Sequence, residues 1–290
     1  MPFDPASIPP RLVDAARNRT LIPLVGAGLS AQAGPEYPGW SGLLLDMRDR
    51  AVHAGHLSGD EGVEVATLMG RGNYLMAAQA LKHSLPLDEY LSFLQDKFDP
   101  SGVHPMEVHR ELFRLRAPMY ITTNYDRLLE NAYAWEYGEA ATVVTYQNTV
   151  LAQQRLLDGR QATRPLIFKI HGTIDDPDGV ILSEWDYRKL IHSSPGYRLV
   201  LSAVFLTHTV LMLGFSFADP ELRLLLETHR EALKHRNSPD YMLLPRDSAG
   251  PVEVHRLRED FGLQVIAYDA SADHREVLDF VQYLADQVPA

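Results

Sequence analysis

The chain has 290 residues, 46% hydrophobic and 22% charged, enough apolar sequence for one large α/β domain with a real core. Lys and Arg number 27 against 38 Asp and Glu, and the formal charge of −11 argues against a nucleic-acid backbone as the primary ligand. There is no cysteine, so neither a disulfide framework nor a Cys-ligated zinc site can form.

The opening residues carry prolines, Asp4 and scattered apolar side chains, which is not the pattern of a signal peptide. The longest apolar stretch, 200–217, is interrupted by Ser202, Thr207, His208, Thr209 and Gly214 and does not make a membrane span. The expectation is a cytoplasmic protein.

Residues 21–25 form the first apolar run and lead into Gly26-Ala27-Gly28-Leu29-Ser30-Ala31. This is a strand, a Gly-x-Gly-x-x-Ala turn and a helix start. Such a turn lets backbone approach a pyrophosphate closely, and a helix N-terminus offers it N–H groups. The same pattern also serves as a plain tight turn. An ordinary dinucleotide fold has a second strand ending in an acidic residue about twenty residues on. Here the sequence around Asp46 and Asp49 reads as helix instead. Residues 33–40 are loop-like and aromatic, and residues 41–102 read as mostly helical, with helices at 41–54, 74–84 and 87–97. They are taken as a helical insertion, or second lobe, within a single domain spanning 1–290.

A helix at 106–115 precedes the next strand, 119–122, which ends in Thr123-Asn124-Tyr125-Asp126 before another helix. Polar residues at the carboxyl edge of a parallel strand face the ligand crevice of an open α/β sheet. Asn124 holds a ribose hydroxyl or a water, or caps the helix; Asp126 caps the helix or orients its neighbours. Residues 142–145 form a further strand, and 166–170 another that ends in His171-Gly172. His171 suits general-base work, though a single histidine at a strand end is often structural. The acidic run from Asp175 to Gly179 reads as a turn. Strand 210–214 enters Phe215-Ser216-Phe217-Ala218-Asp219-Pro220, where Asp219 is expected to cap a helix at 220–235. Strands at 241–244 and 264–268 and a closing helix at 275–287 complete the pattern. Strands alternating with helices predict a parallel sheet.

Four of these motifs, in this order, resemble the sirtuin superfamily: Gly-Ala-Gly-Leu-Ser at 26–30, Thr-Asn-Tyr-Asp at 123–126, His-Gly at 171–172 and Gly-Phe-Ser at 214–216. Their particular forms look like the sirtuin-like domains of bacterial anti-phage defence systems. That resemblance implies a doubly wound, Rossmann-like sheet of about six parallel strands with a helical second lobe. It also implies hydrolysis of NAD(P) to nicotinamide and ADP-ribose. Asn124 and His171 match the family's catalytic pair, and Asp126 would orient their neighbours. Gly26, Ala27, Gly28 and Ser30 would seat the pyrophosphate, Thr123 would join the dinucleotide-binding set, and Gly214 and Ser216 would hold the adenosine side. Tyr37 or Trp40 would cover the nicotinamide end, unless Trp40 anchors the helical lobe.

Protein-deacylating sirtuins carry a zinc module held by four cysteines, which this chain cannot build. NAD is therefore expected as substrate, with no zinc, and the deacylase falls behind the hydrolase. The resemblance further implies a homo-oligomer and a separate activating subunit such as a HerA-type ring ATPase. Two other readings stay open: a non-catalytic NAD-sensing subunit, and a nuclease subunit working with an ATPase.

Overall fold

The computed structural model describes residues 4–34, 36–158, 164–216, 220–229, 239–248, 250–271 and 273–289. Each of the seven apolar runs becomes a strand: β1 (Leu21–Val25), β2 (Met119–Thr122), β3 (Thr142–Thr145), β4 (Leu166–Lys169), β5 (Thr209–Leu213), β6 (Asp240–Pro245) and β7 (Leu263–Tyr268). They form one sheet of seven strands in the order β3-β4-β2-β1-β5-β6-β7, where the resemblance implied about six. Every pair is parallel.

The residues of β1 alternate between layers, as a strand buried on both faces requires. Leu21 and Val25 enter one apolar core, Ile22 and Leu24 the other. The first core is closed by α1 (Pro10–Arg17), α7 (Glu107–Arg114), α8 (Leu128–Tyr137) and α14 (Arg275–Asp286). The second is closed by α9 (Val150–Asp158), α10 (Glu184–Ser193), α11 (Pro195–Thr207), α12 (Pro220–Thr228) and α13 (Pro251–Phe261). Helices on both faces of a parallel sheet make the fold doubly wound. Pro23 sits in the central strand although it has no N–H for the ladder. The β1–β2 register begins only beyond it, at Leu24 and Val25.

After β1 the chain also builds α2 (Ala27–Ser30), a single turn, and then four helices. These are α3 (Trp40–His53), α4 (Gly59–Gly70), α5 (Tyr74–Ser84) and α6 (Leu87–Phe98). They share a third apolar core, with Leu44, Met47, Ala78, Leu81 and Leu94 wholly buried. Tyr125, Leu128, Ile174, Val180 and Leu182 join that core from the sheet side and seat the lobe. Of helix 220–235, residues up to Thr228 are helical, and 230–238 lie outside the described residues. The expected cap Asp219 and its neighbours Phe217 and Ala218 lie outside them too.

Two core histidines give the fold a pH dependence. His109 and His229 are buried, and burial pushes each imidazole down to about 4 from 6.5. The folded state resists protons that the unfolded chain accepts below 6.5. Their contribution to stability is therefore present above pH 6.5 and lost as pH falls towards about 4. Each contributes a loss of about 2 kcal/mol between pH 6.5 and about 5. Urea unfolding at both pH values is expected to show it, and His229→Phe should flatten the slope by about half.

Candidate functional site

The chain leaves β1 for β2 on one side and leaves β5 for β6 on the other, so the crevice opens at the carboxyl ends of β1 and β5. The glycine loop lies there. Gly214 adopts φ +73° and a Cβ on it would lie 2.4 Å from the Leu29 nitrogen. Gly28 N–H donates to the Gly214 carbonyl (2.7 Å) and Gly26 N–H to the Leu213 carbonyl (2.8 Å). Leu29 N–H donates to the Gly26 carbonyl (3.1 Å). This corrects the expectation of a free helix N-terminus. The helix is one turn long, and these three N–H groups already have partners.

A cavity of about 470 Å³ spreads from this loop across the ends of β5, β6 and β7. Ala27, Gly28, Gly214 and Ser216 line it on one side, Trp40 and Tyr74 on the lobe side, and Tyr268 and His274 at the far end. His274 Nδ1 shares a hydrogen bond of 2.7 Å with the Tyr268 hydroxyl. No lysine, arginine, aspartate or glutamate is among the described residues lining this cavity.

Next to it lies a second pocket of only about 30 Å³, walled by Ser30, Thr123, Asn124 and Asp126 and covered by Tyr37, Pro38, Trp40 and Phe98. Ala27 and Trp40 line both spaces. Trp40 thus lines both spaces and packs against the lobe's core. Burial first, then Asp126, Asp99 and Glu36, push the Tyr37 phenol above its ordinary range, so it remains a neutral donor.

The wall of the small pocket is one hydrogen-bonded network. Thr122 Oγ1 donates to the Val25 carbonyl (2.9 Å) and accepts from Asn124 N–H (3.0 Å), bending the chain at the end of β2. Asn124 Nδ2 donates to the Gly26 carbonyl (3.1 Å) and to Ser30 Oγ (2.7 Å). Ser30 Oγ donates to Asp126 Oδ2 (2.7 Å). Asp126 Oδ1 accepts Leu128 N–H at the start of α8 (2.9 Å), an Asx turn ahead of the N-cap Arg127, so Asp126 both shapes the entry to the helix and holds the network. A carbonyl can only accept, so the Asn124 amide nitrogen must face Gly26. Its Oδ1 then has no partner although it is buried.

His171 is buried one strand over, beyond β2, and lines neither cavity. Its Nδ1 lies 3.3 Å from the Tyr187 hydroxyl, and the two rings meet edge to face with centroids 5.0 Å apart. Gly172, at φ +91°, leaves room for the Gly179 carbonyl, which a Cβ would meet at 2.5 Å. The acidic run is a turn, with a short 3₁₀ helix at Pro177–Gly179.

Sequence reading brought Gly26, Ser30, Thr123, Asn124 and Asp126 to one place and left His171 apart from them. It missed Tyr187, Phe98, Tyr268 and His274, which no local pattern marks. It also missed Lys169, for which a signal existed: a lysine inside the apolar strand Leu-Ile-Phe-Lys. Among the described residues, no group of three or more His, Asp or Glu is placed to hold a metal ion. No described helix is long and apolar enough to cross a membrane.

A family model described as a SIR2-like domain matches residues 118–266. The NAD(+) hydrolase ThsA of Bacillus cereus (strain MSX-D12) is 30% identical over 83% of this chain and 45% of its own length. The defense-associated sirtuin 2 of Bacillus subtilis is 22% identical over 91% of this chain and 25% of its own length. The chain thus spans about half the length, or less, of these curated relatives. A chain solved under the heading "Structural Basis for the Mechanism and Regulation of Sir2 Enzymes" is 12% identical, with a TM-score of 0.42, over 96% of this chain and 100% of that one.

Proposed function

The chain belongs to the SIR2-like domain family, and from that premise we propose that it hydrolyses NAD(P) to nicotinamide and ADP-ribose as part of anti-phage defence in the cytoplasm. The observation that carries the reading is Asn124 Oδ1, a buried acceptor with no partner, on a pocket that joins the nucleotide crevice. Buried polar groups in native proteins are nearly always paired, so an unpaired one at a crevice points to a ligand. The names of the relatives, an NAD(+) hydrolase and a defense-associated sirtuin, agree with it.

In this reading the adenosine half of the dinucleotide occupies the larger cavity, against Gly28, Gly214 and Ser216. The nicotinamide ribose reaches Asn124, whose Oδ1 accepts from a ribose hydroxyl or the attacking water. The bond between the anomeric carbon and the pyridinium nitrogen breaks, and its electron pair neutralises the departing nicotinamide. Water oxygen bonds to the anomeric carbon of an oxocarbenium-like transition state. Its proton is assigned to His171, which has to come within hydrogen-bond reach of that water from its place one strand away. Ser30 and Asp126 hold the Asn124 amide. Residues 1–290 act as one domain into which 41–102 are inserted.

A pocket of about 30 Å³ has room for a water but not for a nicotinamide ring. In this reading Tyr37, Pro38 and Trp40 move for turnover. A signal that opens them suits an enzyme whose constant activity is toxic, and we assign it to homo-oligomerisation with a separate activating subunit of the HerA-type ATPase kind. The same narrow pocket favours one other reading, an NAD-sensing subunit that binds without turnover.

Incubation with NAD and an acyl-lysine peptide tests the reaction type. The expected products are nicotinamide and free ADP-ribose with the peptide unchanged. An acyl-ADP-ribose product would replace the hydrolase with a deacylase.

A further inference from the structure

Lys169 ends β4, two residues before His171, and is fully buried at 0% exposure. Its ammonium donates to the Tyr125 carbonyl (3.1 Å), to the Asp126 carbonyl and to Glu130 Oε1 (2.7 Å). An ammonium has three N–H donors, and all three are engaged. Two of the partners are backbone carbonyls of the turn between β2 and α8, the turn that carries Asn124 and Asp126.

Packing alone gives no reason for a charge here. An apolar side chain in this strand would avoid the desolvation of a buried ion, and buried pairs are commonly replaceable by well-packed hydrophobes without loss. The position is also unfavourable for a cation, since it lies by the positive N-terminal end of α8. Glu130, in the first turn of that helix, offsets this. Glu130 is itself only half satisfied: its Oε2 is buried without a partner, and burial raises its carboxyl above the ordinary range despite the lysine. It serves as a counter-charge. The lysine's specific work is on the two carbonyls.

Those bonds tie together two elements that the proposed reaction needs in register. The backbone of Lys169 leads to His171, and its head fixes the turn that presents Asn124. Resting on the hydrolase reading, we propose that Lys169 is a positioning residue, which sets the separation of Asn124 and His171 by clamping the carbonyls of Tyr125 and Asp126.

Three variants of the full chain test this. Lys169→Met alone strands the Glu130 carboxylate, so Lys169→Met/Glu130→Gln, which removes both charges, is the informative one. Glu130→Gln alone leaves the clamp on the turn. The double variant is expected to bind NAD with KM within about threefold of wild type and to lose about 100-fold in kcat, the scale of an ångström-level misplacement. Its amides at 123–128 should exchange with deuterium about tenfold faster, with β1 and β5 unchanged. Glu130→Gln alone leaves the buried ammonium without its counter-charge and should lower stability, while kcat and the exchange at 123–128 stay within about threefold because the two carbonyl bonds remain. A double variant with wild-type kcat overturns the proposal, whatever its exchange rates. If the wild-type chain turns over no NAD, the hydrolase reading fails, and the exchange at 123–128 alone decides whether Lys169 holds the turn.

Discussion

Asn124→Ala is expected to lower kcat for NAD hydrolysis by about 10³-fold, as loss of a preorganised polar contact to the reacting group does. The protein should still fold. Two hydrogen bonds are lost, to the Gly26 carbonyl and Ser30 Oγ, at a cost of about 1–3 kcal/mol. Ser30 keeps its bond to Asp126. Asn124→Asp separates chemistry from shape. It has the same outline, but an acceptor-only carboxylate faces the Gly26 carbonyl and lies near Asp126. It should be less stable than Asn124→Ala and no more active. His171→Ala should share the loss of turnover with less effect on NAD affinity, since His171 lines neither cavity. Steady-state kinetics with thermal melts check all three. Turnover within tenfold of wild type in the folded Asn124→Ala protein would remove Asn124 from the reaction.

Gly214→Ala is expected to be the most damaging single methyl group in the chain. Residue 214 has φ +73°, where a Cβ costs about 1–2 kcal/mol by backbone strain alone. The new atom would also lie 2.4 Å from the Leu29 nitrogen and 2.7 Å from the Gly26 carbonyl oxygen, both backbone atoms that cannot swing aside. Relief requires β5 to part from the glycine loop, which breaks the Gly28-to-Gly214 hydrogen bond and deforms the larger cavity. A loss of at least about 3 kcal/mol in urea unfolding is expected, with NAD affinity down about 100-fold by calorimetry. Gly59→Ala is the control: nothing lies within 4 Å of a Cβ there, and alanine suits the first turn of α4. Equal stability of the two variants would contradict the close packing of loop on strand.

The architecture was legible because buried parallel strands are short apolar runs, and all seven runs pair in the sheet. Residues at their carboxyl ends had to face one crevice, which is how Gly26, Asn124 and Gly214 could be placed without a partner list. The rest was set by tertiary contacts. The N–H groups of the glycine loop looked available in sequence, but the carbonyls of Leu213 and Gly214, nearly two hundred residues away, take two of them. Tyr187 reaches His171 from a helix whose pattern gives no hint of it. Helices α1, α4, α9, α10, α11 and α13 were not singled out. The size of the pocket beside Asn124 depends on how Tyr37, Trp40 and Phe98 pack, and no periodicity encodes that.

The most direct measurement is NAD consumption by the purified chain, with and without the product of its neighbouring gene, followed by chromatography of the products. Nicotinamide and ADP-ribose appearing in equal amounts, and lost in Asn124→Ala, is the predicted result. NAD bound but not consumed in either condition would contradict the hydrolase and leave an NAD-sensing subunit.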